Sequence, residues 1–177
     1  MPQNSIKFSN IEENITDIFN LILNNQNIKR YLKYMDNDPL SASKDDIQST
    51  LVNQNIFLNP YSDSIIDKEG SECYLFAGNL FGILNSDSTS PYNIKFVICC
   101  PNDYWVLDGK GKIRPIRIAD EIAKLVDGKH ITGVSTPEIT NFSTTPLSDN
   151  RYSAFDFDLE INISTRRPKS SAYNGWY

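Results

Sequence analysis

The sequence predicts an α+β domain, a mostly antiparallel sheet with two main helices packed on one face. Three observations carry that expectation. Phe155, Phe157, Leu159, Ile161 and Ile163 alternate with Asp156, Asp158, Glu160, Asn162 and Ser164, the period-two signature of a strand with one buried and one wet face. Ile116, Ala119, Ile122, Ala123 and Val126 recur at helical spacing, flanked by Ile118 and Leu125. The segments Cys73 to Leu84 and Tyr92 to Cys100 are dense in apolar and aromatic residues and read as strands.

In chain order, Ser9-Asn10-Ile11-Glu12 has the form of a capping box, with Ser9 as N-cap. Ile11, Ile15, Ile18, Phe19 and Ile22 follow at helical spacing, with Leu21 and Leu23 widening the stripe. A second apolar set comes at Ile28, Tyr31 and Leu32, so a helix over residues 9–34 with a break near Asn25 is expected. Asp36-Asn37-Asp38-Pro39 ends it, because the residue before proline avoids the helical region. Ser43, Asp45 and Asp46 suit the start of a short helix over 43–53. Asn55 to Asp67 reads as a loop turning at Asn59-Pro60 and pinned by Ile56, Phe57, Leu58 and Tyr61.

Gly78-Asn79 interrupts the Cys73–Leu84 run as a hairpin turn or a bulge. A polar loop spans Asn85 to Pro91. In the next strand Ile94, Phe96 and Ile98 alternate with Lys95, Val97 and Cys99, and Pro101 marks a bulge or a sheet edge. Tyr104-Trp105-Val106-Leu107 reads as extended up to Asp108-Gly109. Pro115 suits a helical first turn, and Gly128 suits its stop. The polar side of that helix, over 114–127, offers Arg117/Glu121 and Asp120/Lys124 pairs four apart. Strands at about 130–136 and 138–143 and a polar loop with Pro146 lead into the alternating strand. The chain thus divides into one domain over 1–164 and an extended arm over 165–177, with no internal repeat.

The 177 residues suit one domain, and 40% of them are apolar, enough for a real core. The net charge of −5 and a pI near 4.9 speak against general nucleic-acid binding, which draws on a basic surface to neutralise phosphates. No stretch approaches the ~18 apolar residues a membrane helix needs. Met-Pro-Gln-Asn-Ser lacks the basic and apolar regions of a signal peptide, so none is expected. Cys73, Cys99 and Cys100 are odd in number, and adjacent strand residues point to opposite faces. Cys99 and Cys100 are therefore poor disulfide partners, and a reducing cytoplasm is the simplest setting.

Chemistry-bearing residues are sparse. His130, the single histidine, follows a helix stop, where imidazole ordinarily meets the helix dipole. The cysteines fall at apolar strand positions that raise rather than lower a thiol pKa. Asp108-Gly109-Lys110-Gly111-Lys112 lacks the spacing of a phosphate-binding loop and reads as a solvated turn. Asp156, Asp158 and Glu160 set three carboxylates about 7 Å apart along one strand face. Their bland reading is a soluble sheet face; their functional one is the wall of a channel. Two tyrosines and a tryptophan on the polar arm, Tyr173, Trp176 and Tyr177, are residue types favoured as interface anchors. No catalytic, cofactor-binding or metal-ligating residue is expected, and no cofactor.

Tyr104-Trp105-Val106-Leu107-Asp108, Arg114 to Ile122, His130-Ile131-Thr132-Gly133-Val134 and the strand Phe155 to Ile163 together resemble the tail-terminator and head–tail joining proteins of tailed-phage necks. Ile28-Lys29-Arg30-Tyr31-Leu32 and Asp38-Pro39-Leu40-Ser41 are similar to the opening of the same group. Cys99-Cys100-Pro101 departs from its pattern, where an uninterrupted long strand is expected. The resemblance implies a non-enzymatic virion protein, foremost a tail terminator, forming a ring with copies of itself at the capsid–tail junction. Other neck, portal and tail proteins would be its partners, DNA a passing cargo repelled by Asp156, Asp158 and Glu160, and membranes no partner. Arg166, Arg167, Tyr173, Trp176 and Tyr177 would reach a neighbouring subunit. Assembly would take place in the host cytoplasm, ending in the virion. A connector adaptor of the neck is the nearest rival; a small hydrolase using the acidic strand or Cys73, or a monomeric binding module, stands in other classes.

Overall fold

A computed structural model describes residues 8–62, 66, 71–82, 89–107, 111–126, 138–147 and 151–164. The expected strand at 130–136, His130, Asp108 to Lys110 and the whole arm lie outside these. Helices α1 (Phe8–Asn24), α2 (Gln26–Lys33) and α3 (Arg114–Val126) accompany strands β1 (Ile56–Phe57), β2 (Tyr74–Gly82), β3 (Thr89–Pro101), β4 (Val106–Leu107), β5 (Lys112–Ile113), β6 (Glu138–Pro146) and β7 (Tyr152–Ser164). The main sheet runs β1-β2-β3-β7-β6, antiparallel except for the short β1–β2 pair. The expected α+β architecture is the one observed.

All three helices cover one face. Ile15, Ile18, Ile22, Ile28, Leu32, Ile118, Ile122 and Val126 pack on Leu75, Ile94, Phe96, Ile98, Phe155, Phe157, Leu159 and Ile161. Each such fully buried side chain contributes about 1.5–3 kcal/mol. The break between α1 and α2 falls at Asn25, which leaves the helical region (φ −80°, ψ 116°) and accepts the Ile28 amide at 2.9 Å. One asparagine thus ends a helix and caps the next. Ser9 lies within the first helix, Phe8–Asn24, rather than before it, so it is not the N-cap.

The opposite face is half dry. Phe57, Tyr61 and Ile66 fold over Tyr74, Phe76, Cys99, Tyr152 and Ala154, with Phe57 stacked on Phe76 at 5.1 Å and Tyr61 edge-on at 5.3 Å. Gly78 makes room for this loop: a β-carbon there would stand 2.3 Å from the Pro60 nitrogen. The register of β2 shifts between Gly78 and Phe81, which selects the bulge over the hairpin. Leu58, expected to help pin the loop, is exposed.

Several local expectations are overturned. Residues 43–53 form no helix, because α2 engages their backbone instead. Gln26 both donates to and accepts from Ile47, at 3.1 and 3.0 Å, and Arg30 donates to the Lys44 carbonyl. Leu51 and Asn53 adopt positive φ (58° and 57°), which no right-handed helix tolerates. Tyr104 lies in a 3-10 turn and Trp105 has right-handed helical dihedrals; extended structure resumes only at Val106, in the antiparallel β4–β5 pair. Strand β3 is not interrupted at Cys99-Cys100 but pairs with β7 through Pro101, which is simply its last residue. On α3 the buried stripe is Pro115, Ile118, Ala119, Ile122 and Val126, leaving Ile116 out. Arg117 pairs with Asp120 rather than Glu121, whose carboxylate accepts from Asn27 on α2.

Candidate functional site

Strand β7 lies between β3 and β6, so its wet side is seen beside two neighbours. Asp156 does not stand bare: Lys95 on β3 pairs with it at 2.9 Å, and the Ser143 hydroxyl on β6 donates to it at 2.6 Å. Partial burial pushes the Asp156 carboxyl up, but the Ser143 and Lys95 hydrogen bonds outweigh it and hold the group below the usual range. Lys95 is raised, chiefly by its hydrogen bond to Asp156. Asp158 accepts from the Asn141 amide at 3.3 Å. Glu160 lies opposite Glu138 across the β6–β7 pair.

The acidic row is therefore graded, neutralised at Asp156 and concentrated in Asp158, Glu160 and Glu138 toward the end where β6 begins. Glu138 went unnoticed in the sequence, since only the strand register brings it opposite Glu160. Among the described residues, no group of three or more histidine, cysteine, aspartate or glutamate side chains is arranged to hold a metal ion.

A second surface forms where α3 meets the sheet margin. Among the described residues strand β6 is the last of the sheet, and it is exposed along all its residues. Two features of its sequence are costly there: Phe142 is 73% exposed and Ile139 41%. Both sit on the helix side, opposite Phe157 and Leu159, and Phe142 stacks on Phe155 at 6.1 Å. Together with Ile116 (45% exposed), Ala119, Ala123, Phe155 and Phe157 they line a groove of about 300 Å³, as does Asp120, which Lys124 pairs at 2.7 Å. The misfit of Ile116 from the buried stripe is thus explained: it forms the groove's helical wall.

Arg114 is the residue that sequence reading passed over. It is fully buried, and its guanidinium donates to four backbone carbonyls: Tyr104 at 2.9 Å, Tyr31 at 2.9 Å, Tyr34 at 2.9 Å and Asp36 at 2.5 Å. Three of these belong to the C-terminal end of α2 and the turn after it, where orphan carbonyls gather the negative end of the helix dipole. Arg114 thereby ties α2 to the start of α3. Its only sequence signal is an arginine inside the first turn, which reads as surface.

Cys73 and Cys100 are both fully buried, with sulfurs 2.9 Å apart. Burial, then the Cys73 contact, pushes the Cys100 thiol well up, the reverse of an activated nucleophile. Cys99 and Cys100 belong to the two opposite faces, as strand alternation requires. Arg166, Arg167, Tyr173, Trp176 and Tyr177 fall outside the described residues.

Among the described residues the chain forms a small α+β domain with an apolar groove beside the last strand of its sheet. A family model named YomW matches residues 25–161, from the start of α2 to the end of the graded acidic row, and the chain belongs to that family. The family's name is of phage type, which points to a phage-encoded protein. No curated protein matches the chain.

Proposed function

We propose that this protein is a non-enzymatic structural component of a tailed-phage virion, assembling as a ring at the head–tail junction, with the tail terminator as its role. The observation that carries the reading is the margin formed by β6 and α3. Among the described residues β6 is the last strand of the sheet, and it stands beside exposed Phe142, Ile139 and Ile116, an apolar margin that folded proteins ordinarily blunt with charge or cover. Coverage by a neighbouring subunit removes the liability and closes a ring.

The acidic face supports the same reading. Asp158, Glu160 and Glu138 present like charges with low affinity for phosphates, suited to a wall past which DNA slides. Partners on this view are copies of the chain and adjoining neck, portal or tail proteins. The protein works from within the particle after assembly in the host cytoplasm, and binds no membrane.

Disrupting its gene in the phage that carries it tests the proposal. Filled heads and tails that fail to join, or tails of uncontrolled length, are expected in electron micrographs of the lysate. Normal infectious particles lacking this protein would reject it. Rings of six subunits fit the terminator, and rings of twelve fit a connector adaptor instead.

A further inference from the structure

We infer that Cys73 and Cys100 are a cross-strand dithiol that closes to a disulfide when the chain meets a small-molecule disulfide such as oxidised glutathione. The inference stands apart from the virion reading and rests on the geometry of the β2–β3 pair.

Register brings the two cysteines together. Tyr74 lies opposite Cys99 and Leu75 opposite Ile98, so one step outward along the same ladder sets Cys73 opposite Cys100. The Leu75 amide donates away from β3, to the Asn55 carbonyl at 2.7 Å, and the Cys73 amide to the Leu32 carbonyl at 3.2 Å. The Cys73 carbonyl also faces away, accepting from the Asn55 side chain at 3.0 Å. Cys73 and Cys100 therefore occupy a step of the antiparallel ladder that exchanges no backbone bonds, where α-carbons are about 4.5 Å apart and side chains closest. A disulfide spans α-carbon separations of roughly 4.4–6.8 Å.

Both side chains lie on the helix-covered face, fully buried, with their sulfurs 2.9 Å apart. Side chains that merely fill a core rest at the ~3.5–4.0 Å of ordinary van der Waals contact; these two sulfurs are closer. An S–S bond of about 2.05 Å asks them to close by a further ~0.9 Å. Cys99 belongs to the opposite face, among Phe76 and Tyr152, and strand alternation keeps it from either partner.

The exchange balances in two steps. The Cys73 thiol gives up its proton and its sulfur attacks the small disulfide, whose S–S bond breaks and releases one thiolate. The Cys100 sulfur, also deprotonated, then attacks the Cys73 sulfur of the mixed disulfide and expels the second small thiolate. The two departing thiolates take up the two protons, and two electrons pass from the protein sulfurs to the small molecule. Cys73 takes the first step because it stands just outside the start of β2, beside half-buried Glu72, whereas Cys100 lies in β3 between β2 and β7. Burial pushes the Cys100 thiol up, so exchange is slow in the closed sheet and faster whenever the Cys73 end opens to water.

Thiol counting on the full chain tests the inference. The reduced protein is equilibrated with oxidised and reduced glutathione, once folded and once while refolding from urea, then alkylated, digested and weighed. One alkylated thiol of three is expected, with a peptide pair joined through Cys73. Trypsin leaves Cys99 and Cys100 on one peptide, so Cys99→Ala assigns the link: it should keep the bond, and Cys100→Ala should abolish it. The bond would close a loop over residues 73–100 and raise the melting temperature by about 7–14 °C over the same sample reduced with dithiothreitol. Three alkylated thiols in both arms would overturn the inference, as would a link that survives Cys100→Ala or a melting temperature that reduction leaves unchanged or raises.

Discussion

Replacing Arg114 with alanine should cost more stability than any other single truncation in the helical layer. The guanidinium spends its donors on four carbonyls at 2.5–2.9 Å. Those acceptors are backbone, so no compensating substitution can remove them. In Arg114→Ala the carbonyls of Tyr31, Tyr34, Asp36 and Tyr104 lose a buried donor, each worth about 1–3 kcal/mol when left unsatisfied. Water entering the vacated space recovers part of that, and the arginine's own desolvation cost disappears. With four acceptors affected and these two offsets, the net loss is about 3–5 kcal/mol, against a total of about 5–15 kcal/mol for an ordinary domain. A melting temperature lower by about 6–20 °C follows at ~2–4 °C per kcal/mol for this size. Arg114→Met, similar in volume but with no donor, should lose nearly as much, which separates hydrogen bonding from packing. Arg114→Lys, with one compact ammonium in place of a planar fork, should recover only part. Urea unfolding followed by circular dichroism measures all three. A loss under about 1 kcal/mol in Arg114→Met would refute the assignment of stability to these four bonds.

Asp156 supplies an acid-side dependence: its carboxyl titrates lower in the folded chain than in the unfolded. Its contribution is therefore present above the ordinary aspartate value of about 3.9 and fades as pH falls through the folded value. Lys95, raised, gives the mirror image, lost as pH climbs past the ordinary lysine value of about 10.4. With both side chains partly exposed, the pair contributes about 0.5–1 kcal/mol at neutral pH. Asp156→Asn should flatten the stability profile between about pH 2 and 6; an unchanged slope in urea titrations at those pH values counts against the pairing. Gly78→Ala should cost about 1–3 kcal/mol, because its methyl meets the Asn59-Pro60 backbone rather than a movable side chain, and a neutral result would mean the loop does not cross there. Glu138→Lys should stabilise by about 0.2–1 kcal/mol at low salt by replacing a like-charged cross-strand pair with an opposite one. A lower melting temperature for that variant would contradict the register.

Period and breaker residues made the larger elements legible: the alternation over 155–162, a helix over 114–126 and the break at Asn25 all reappear in the structure. What escaped depends on contacts between distant segments. The loop over 43–53 has the composition of a helix start, but Gln26 and Arg30 on α2 outcompete it for its backbone. Ile116 reads as core on a helical wheel, and only the position of β6 shows that it borders a groove. Arg114 has no local sign of burial, since its partners lie about eighty residues away along the chain or across a turn. Of the acidic row, the residue identities were visible. Its neutralisation by Lys95 and extension to Glu138 required the strand register.

In the proposed function this domain fits against copies of itself inside a phage neck. A cryo-electron microscopy reconstruction of the neck in particles of the phage that encodes it tests this most directly. A closed ring of this fold, with β6 and α3 pressed on the adjoining subunit and Asp158, Glu160 and Glu138 toward the DNA, is the expected result. A fully accounted neck without this fold would contradict it.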